Sequence, residues 1–387
     1  MKLGFGLRRI ATEIFGLMRL SSSRLIYLIW LLFDFGKFKI IDNKKIKSIL
    51  VVYAGATGDR YNSLGILNRL LKKFAYLKLY FLTAKKERES VKNPKIQIVD
   101  LEETKKLIDN NKIDAAVIFA DTYNPELFDW EFYKKFTKIP YRVGFAISGV
   151  ASFFKVIPFS FTRRVYPNEK TAMRNHIILF EKLGFYFDRE IEFYFTEEAE
   201  KNAKEFIKKN KIEEGEKVIF MHPTSKKSID FLKKGKQTSK DWPYERWAEL
   251  ANNLIKKYNA RIIFTGAPEE NEIIEKIIPK INNSKKVINA AGKLSIEEIG
   301  SLLKRADLLI CLDTAIGHIG GQVGVPVIVL LGGNPLNCYP WTAKKMMLFH
   351  PEVCTNCRRS ACPEGNNICM KTITVSEVFD AATKFLK

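Results

Sequence analysis

The chain has 387 residues, 46% hydrophobic and 12% aromatic, which excludes a disordered polypeptide and exceeds what one core usually supports. Its 64 lysines and arginines outnumber 43 aspartates and glutamates, a net charge of +21 that asks for an anionic partner: nucleic acid, a membrane surface, or a phosphorylated or carboxylated substrate. Of six cysteines, four crowd into residues 354–369, which argues against a disulfide framework and points to a cytoplasmic location.

Residues 1–46 read as a basic amphipathic N-terminal arm. Its "LIYLIWLLF" (25–33) is too short to span a bilayer, which takes about 20 residues, and lacks a small-residue cleavage site. Flanked by Arg8, Arg9, Arg19, Arg24, Lys37 and Lys39, it suits a helix in the membrane interface at the inner face of the cytoplasmic membrane, or an arm packed on the body.

The stretch 47–190 reads as one α/β domain. "KSILVVYAG" (47–55) is a buried strand ending in glycine, and "SLGILNRLLKKF" (63–74) has helical spacing. "LKLYFLTA", "IQIVDL" and "DAAVIFAD" follow as strands, with "EETKKLIDNN" helical between the last two. Such alternation predicts a parallel sheet covered by helices. Between the first strand and helix, "AGATGDRYNSLG" presents Asp59 at the sheet's carboxyl edge. There it could take a proton from a substrate hydroxyl, or simply cap the next helix.

The pattern restarts over 191–387, with a hinge expected near 185–200. "EKVIFMHP" is a strand and "WPYERWAELANNLIKKYN" a helix with Pro243 in its first turn. "ARIIFTGAP", "KKVINAAG", "DLLICLD" and "VPVIVLLGG" are further strands; "EENEIIEKIIPKI", "SIEEIGSLLKRA" with a serine cap, and "TAIGHIGGQVG" are helices. In such folds ligand binds in the crevice at the strands' carboxyl ends. There Thr224, Ser225 and Lys240 could hold a diphosphate, and Glu270 a ribose unless it serves only as a helix N-terminal acid. Asp313 and Thr314 lead into a helix start with Gly317 and His318, an anion cradle if His318 is not merely a core histidine.

Taken in order, "GATGD", "IPYRVGF", "HPTS", "KDWPYERWAEL", "TGAPEE", "AGKLSIEEI", "DTAIGHIGGQVGVPVIVLLG" and "CTNCRRSACPEGNNICMKTI" resemble glycosyltransferase family 9, the heptosyltransferases of lipopolysaccharide inner-core assembly. The resemblance covers roughly residues 47–385 and implies a GT-B fold, two Rossmann-like doubly wound domains facing across a cleft. It implies an inverting, metal-independent transfer of heptose from an ADP-activated donor to an anionic lipid-linked saccharide, with Asp59 as general base. It carries diphosphate and nucleotide contacts onto Thr224, Ser225, Lys240, Asp313, Thr314, Gly317 and His318, and the ribose-side acid onto Glu270. Arg60 and Arg142 are added, beyond the resemblance, as partners for an anionic acceptor sugar. The chain departs from the family pattern at Arg60, Gly65, Ala315 and "GGN" (332–334).

Cys354, Cys357, Cys362 and Cys369 could form a structural zinc site or hold an iron–sulfur cluster, or be a loop of reduced thiols. Catalysis is expected to need no cofactor. Alternatives to heptose transfer are a transferase or epimerase using another nucleotide-sugar, and a non-catalytic sugar-nucleotide-binding subunit. Nucleic-acid binding is not expected, since no helix-turn-helix, zinc-finger or RRM signature accompanies the charge.

Overall fold

The computed structural model describes residues 41–54, 57–120, 127, 129–145, 163–165, 172–188, 190–234, 238–332, 340–350, 353, 361–362 and 364–386. The basic arm up to residue 40, and with it the membrane-helix expectation, lies outside the described residues. Among those described, no helix is long and apolar enough to cross a membrane.

In the first sheet, β1 (Ser48–Ala54) turns Ile49, Val51 and Tyr53 to one apolar cluster and Leu50 and Val52 to another. A strand apolar on both faces belongs at the centre of a parallel sheet with helices on either side. Next come α1 (Thr57–Lys73), β2 (Lys78–Leu82), β3 (Ile96–Val99), α2 (Leu101–Asp109), β4 (Ala115–Ala120), α3 (Trp130–Phe136), β5 (Tyr141–Phe145), β6 (Arg163–Val165) and α4 (Ala172–Glu181). All pairings are parallel, in the order β3-β2-β1-β4-β5-β6. Helix α1 starts six residues before the "SLGILNRLLKKF" stretch, so Asp59 stands in its first turn, where the helix dipole favours an acid.

The second unit contains α5 (Glu197–Lys209), β7 (Val218–His222), α6 (Lys226–Leu232), α7 (Tyr244–Tyr258), β8 (Arg261–Phe264), α8 (Asn271–Ile277), β9 (Val287–Asn289), α9 (Ile296–Leu303), β10 (Leu308–Leu312), α10 (Ala315–Val323), β11 (Val327–Leu330), β12 (Lys345–Leu348), α11 (Ile368–Lys371) and α12 (Val375–Thr383). Its order is β12-β11-β10-β7-β8-β9, again all parallel. Counted from each sheet's own first strand, the two orders are identical: third, second, first, fourth, fifth, sixth. Pro243 proves to be the N-cap of α7, and Ser295 caps α9 by accepting from the Glu298 N–H.

The units meet through α1 and α10. One apolar cluster runs through both, including Tyr61 and Leu64 of α1, Ile191 and Phe193 of the connecting segment, Ile299 of α9 and Ile319 of α10. Two glycines permit close packing here, Gly320 of α10 on its own sheet and Gly65 of α1 between the units. A Cβ at Gly320 would lie 2.6 Å from Leu309 Cδ2 on β10, and one at Gly65 would lie 2.5 Å from Gln322 Oε1 on α10. The connecting segment is tied along α1: Asn68 Nδ2 donates to the Glu192 carbonyl at 2.9 Å, and Arg69 pairs with Asp188.

Candidate active site at the carboxyl ends of the strands

In each sheet the strand order reverses between the first and fourth strands, and ligands of such folds bind at that switch point. β7 and β10 are in register at His222 and Cys311. Thr224 and Asp313, each two residues further on, therefore leave the edge of the second sheet side by side. Lys240 reaches Asp313 from the loop before α7. Its Nζ donates to Asp313 Oδ2 at 2.8 Å and to the Asp313 carbonyl at 3.2 Å. Thr224 is fully buried, yet its Oγ1 has no hydrogen-bond partner among the described residues. A buried hydroxyl without a partner is costly and marks a place where a ligand or water belongs.

Thr314 is the N-cap of α10 but makes no side-chain cap bond; its Oγ1 donates back to the Leu312 carbonyl at 3.3 Å. The first N–H groups of α10 thus end at the crevice without a side-chain acceptor, the arrangement that receives phosphates at helix starts. Ala315 opens the helix, and Gly317 lies over β10, where a Cβ would come 3.0 Å from Cys311 Sγ. His318 is 6% exposed, and burial depresses its affinity for a proton, opposed by Asp313 and reinforced by Lys240. Its Nδ1 is 3.0 Å from Asn62 Nδ2 of α1, a contact between the two units.

The loop that carries Lys240 is held from two sides. Asp241, 2% exposed, accepts from Ser228 Oγ at 2.6 Å and from the Thr238 N–H at 2.8 Å. Burial pushes its carboxyl above the usual range, against these hydrogen bonds. Behind it, Thr238 forms an isolated antiparallel bridge with Ala361, and Asn367 Nδ2 donates to the Thr238 carbonyl at 2.5 Å. The cysteine-rich tail therefore braces the lysine loop, a role its thiol spacing did not reveal. Ser225, the N-cap of α6, is engaged in a capping box with Ser228.

Of the other expected residues, Arg142 stands away from the crevice, whereas Arg60 and Glu270 follow the carboxyl ends of β1 and β8 with side chains engaged locally. Arg142 is at the amino end of β5, on the edge of the parallel sheet opposite the crevice, and its Nη1 donates to the Ile139 carbonyl. It does not face an acceptor in the cleft. Arg60 is 7% exposed, and its Nη1 lies 3.4 Å from Glu87 within the first unit, while its Nε is buried without a hydrogen-bond partner among the described residues. Glu270 is 3% exposed, and its Oε2 accepts from the Ala267 N–H at 2.8 Å, closing its own turn.

Cys354 and Cys357 lie outside the described residues. Cys369 is 6% exposed within the apolar core of the second unit. Cys362 is partly exposed; burial works against its ionisation, but N–H groups of Asn367, Glu364, Asn366 and Gly365 hold its thiol below the ordinary range. Among the described residues no three His, Cys, Asp or Glu groups gather as a metal site.

Comparisons with known proteins bear on the family and the fold. The family model for glycosyltransferase family 9 (heptosyltransferase) matches residues 131–368, more than half of the chain. Lipopolysaccharide core heptosyltransferase OpsX of Haemophilus influenzae is 33% identical over 123 residues, 29% of this chain and 35% of that protein. The chain spans about a third of the length of the curated relatives it matches. The crystal structure of a family 9 glycosyl transferase from Veillonella parvula superposes with a TM-score of 0.67 at 20% identity, covering 88% of this chain and 97% of that one. ADP-heptose lipopolysaccharide heptosyltransferase II of Escherichia coli gives 0.61 at 15% identity, covering 88% and 98%. The two parallel sheets are the paired Rossmann-like domains of a GT-B fold. With this fold and the family match over residues 131–368, the chain belongs to glycosyltransferase family 9.

Proposed function

We propose that the protein is an inverting glycosyltransferase that moves a heptose from an ADP-activated donor to a lipopolysaccharide inner-core or related lipid-linked acceptor, without a catalytic metal. The observation that carries this reading is the convergence of Lys240, the buried unpartnered hydroxyl of Thr224 and the start of α10 at one edge of the second sheet.

The chemistry follows from that grouping. Asp59 takes the proton of the acceptor hydroxyl as its oxygen attacks the anomeric carbon. The bond from that carbon to the diphosphate breaks, and ADP leaves carrying the electron pair. Lys240, the first N–H groups of α10 and His318 meet the charge that develops on the diphosphate, the task a divalent ion performs elsewhere. Asp313 anchors Lys240, and Thr224 gains a phosphate oxygen for its hydroxyl. The acceptor lies over the first unit, and the basic arm docks the enzyme at the inner face of the cytoplasmic membrane.

The test is transfer by the purified full chain from ADP-heptose to truncated lipopolysaccharide, with UDP- and GDP-sugars as competitors. Asp59→Asn should lower kcat by about 10²–10⁴ with little change in donor KM. Equal turnover by Asp59→Asn, or preference for another nucleotide-sugar, overturns the assignment.

A further inference from the structure

We infer that Asn62 is a positioning residue: from the first unit it fixes the tautomer of His318 in the second, so that Nε2 carries the proton offered to the leaving diphosphate. The inference rests on the proposed diphosphate site.

Asn62 is 4% exposed and sits one helical turn after Asp59, on the same face of α1. Its amide has two neighbours on α10. Nδ2 is 3.0 Å from His318 Nδ1, and Oδ1 lies 3.3 Å from Gln322 Nε2. If the amide accepts from Gln322, its NH2 group faces the imidazole, and Nδ1 must then be the bare, accepting nitrogen. The reverse arrangement would turn both amides and place the proton on Nδ1.

The surroundings of Gln322 separate the two. Its remaining amide atom is buried without a hydrogen-bond partner and faces Gly65, where a Cβ would lie only 2.5 Å away. An oxygen there meets the Cα–H of a glycine, a weak but favourable contact. An NH2 group there would leave two donors unsatisfied and press hydrogen against hydrogen. Oε1 therefore faces Gly65, Nε2 faces Asn62, and Asn62 donates to His318.

None of the described residues bonds Nε2 of His318. The charged groups acting on the ring are Asp313 at the end of β10 and Lys240 from the loop before α7. From the helices packed on α10, Asp59 lies one turn before Asn62, and Glu297 of α9 lines a small cavity together with Gln322 and Gly65. Burial keeps the imidazole neutral, so its value as a donor depends on which nitrogen holds its single proton. With the proton on Nδ1, a bare Nε2 lone pair would face phosphate oxygens.

The test uses the full chain labelled with ¹⁵N-histidine, with His318→Gln identifying the resonance among the four histidines. The expected wild-type spectrum has Nδ1 unprotonated and Nε2 protonated at neutral pH. Asn62→Leu should give a mixture of tautomers. Asn62→Asp, which only accepts, should protonate both nitrogens and move the pH profile of kcat upward. With ADP-heptose, Asn62→Leu should lower kcat by about ten-fold with donor KM nearly unchanged, short of the 10²–10³ that follows loss of a donor outright. Unchanged resonances of the other three histidines report an intact fold.

A wild-type His318 protonated at Nδ1, or an unaltered tautomer in Asn62→Leu, overturns the inference whether or not sugar is transferred. ADP titration is the separate readout for the site. If ADP moves no resonance while the tautomer still obeys Asn62, the nucleotide-sugar assignment fails and the tautomer control stands.

Discussion

Lys240 and Asp313, 73 positions apart, form an ion pair of 2.8 Å at the edge of the second sheet, with the lysine side chain 28% exposed and the aspartate 9%. The partly open cation is the one an incoming diphosphate can share. Lys240→Ala is expected to reduce kcat with the nucleotide-sugar donor by about 10²–10³ and to raise its KM. Steady-state kinetics check this, and an unchanged kcat would remove Lys240 from the site. Asp313→Asn should cost less, because the Asp313 carbonyl still holds the ammonium at 3.2 Å.

Asp241 offers a stability test near the site. Its raised pKa means that the folded protein holds this proton more readily than the unfolded chain does. The contribution is therefore favourable at low pH and is lost as pH rises from the ordinary carboxylate range through the folded value. An asparagine can still accept from the Thr238 N–H and pair with Ser228. At neutral pH, Asp241→Asn should be nearly neutral in urea denaturation. Asp241→Ala, which strands Ser228 and the Thr238 amide, should destabilise by about 1–3 kcal/mol.

Gly65 sets the spacing between the two units. Gly65→Ala would push a methyl into the amide end of Gln322, which must swing aside and give up its bond to Asn62; set against the gain in helix propensity, the net destabilisation should be about 1 kcal/mol. Adding Gln322→Ala should recover most of the loss. A double-mutant cycle by chemical denaturation gives the coupling, and additive effects would mean that the two residues do not press on each other.

His176 is 2% exposed, stacks on Phe119 with 4.5 Å between ring centroids, and lies 3.3 Å from Ser63 Oγ. Burial lowers its pKa from 6.5 to about 4. The unfolded chain thus binds this proton first as pH falls. Stability is full above about 6.5 and lost between there and about 4, a total of about 3 kcal/mol. Comparing wild type with His176→Leu from pH 7.5 to 4 should show the wild type losing that much more. Parallel curves would contradict a buried neutral histidine.

The strands and most helices were legible because apolar alternation and helical spacing are local properties. "DLLICLD" and "SIEEIGSLLKRA" needed no partner to be read. Thr224, Lys240 and Asp313 were legible because they follow strands whose carboxyl ends must converge. What escaped were pairings set by the fold. Asn62 is 256 positions from His318, and nothing near either residue names the other. Arg60 and Arg142 were placed by charge, yet Glu87 claims one and the direction of β5 carries the other away. The edge strand β12, "KMML", has too little alternation to stand out.

The identical strand order of the two sheets has a mechanical consequence. α1 follows the first strand of one sheet and α10 the fourth strand of the other, so the helices in contact are the two that emerge at the switch points. Separation of the halves would draw Asp59 away from the donor cradle and pull Asn62 off His318 in the same movement. On the proposed mechanism, an open enzyme with donor bound has neither its base nor its aligned hydrogen-bond donor in place, which shields a high-energy sugar donor from wasteful hydrolysis.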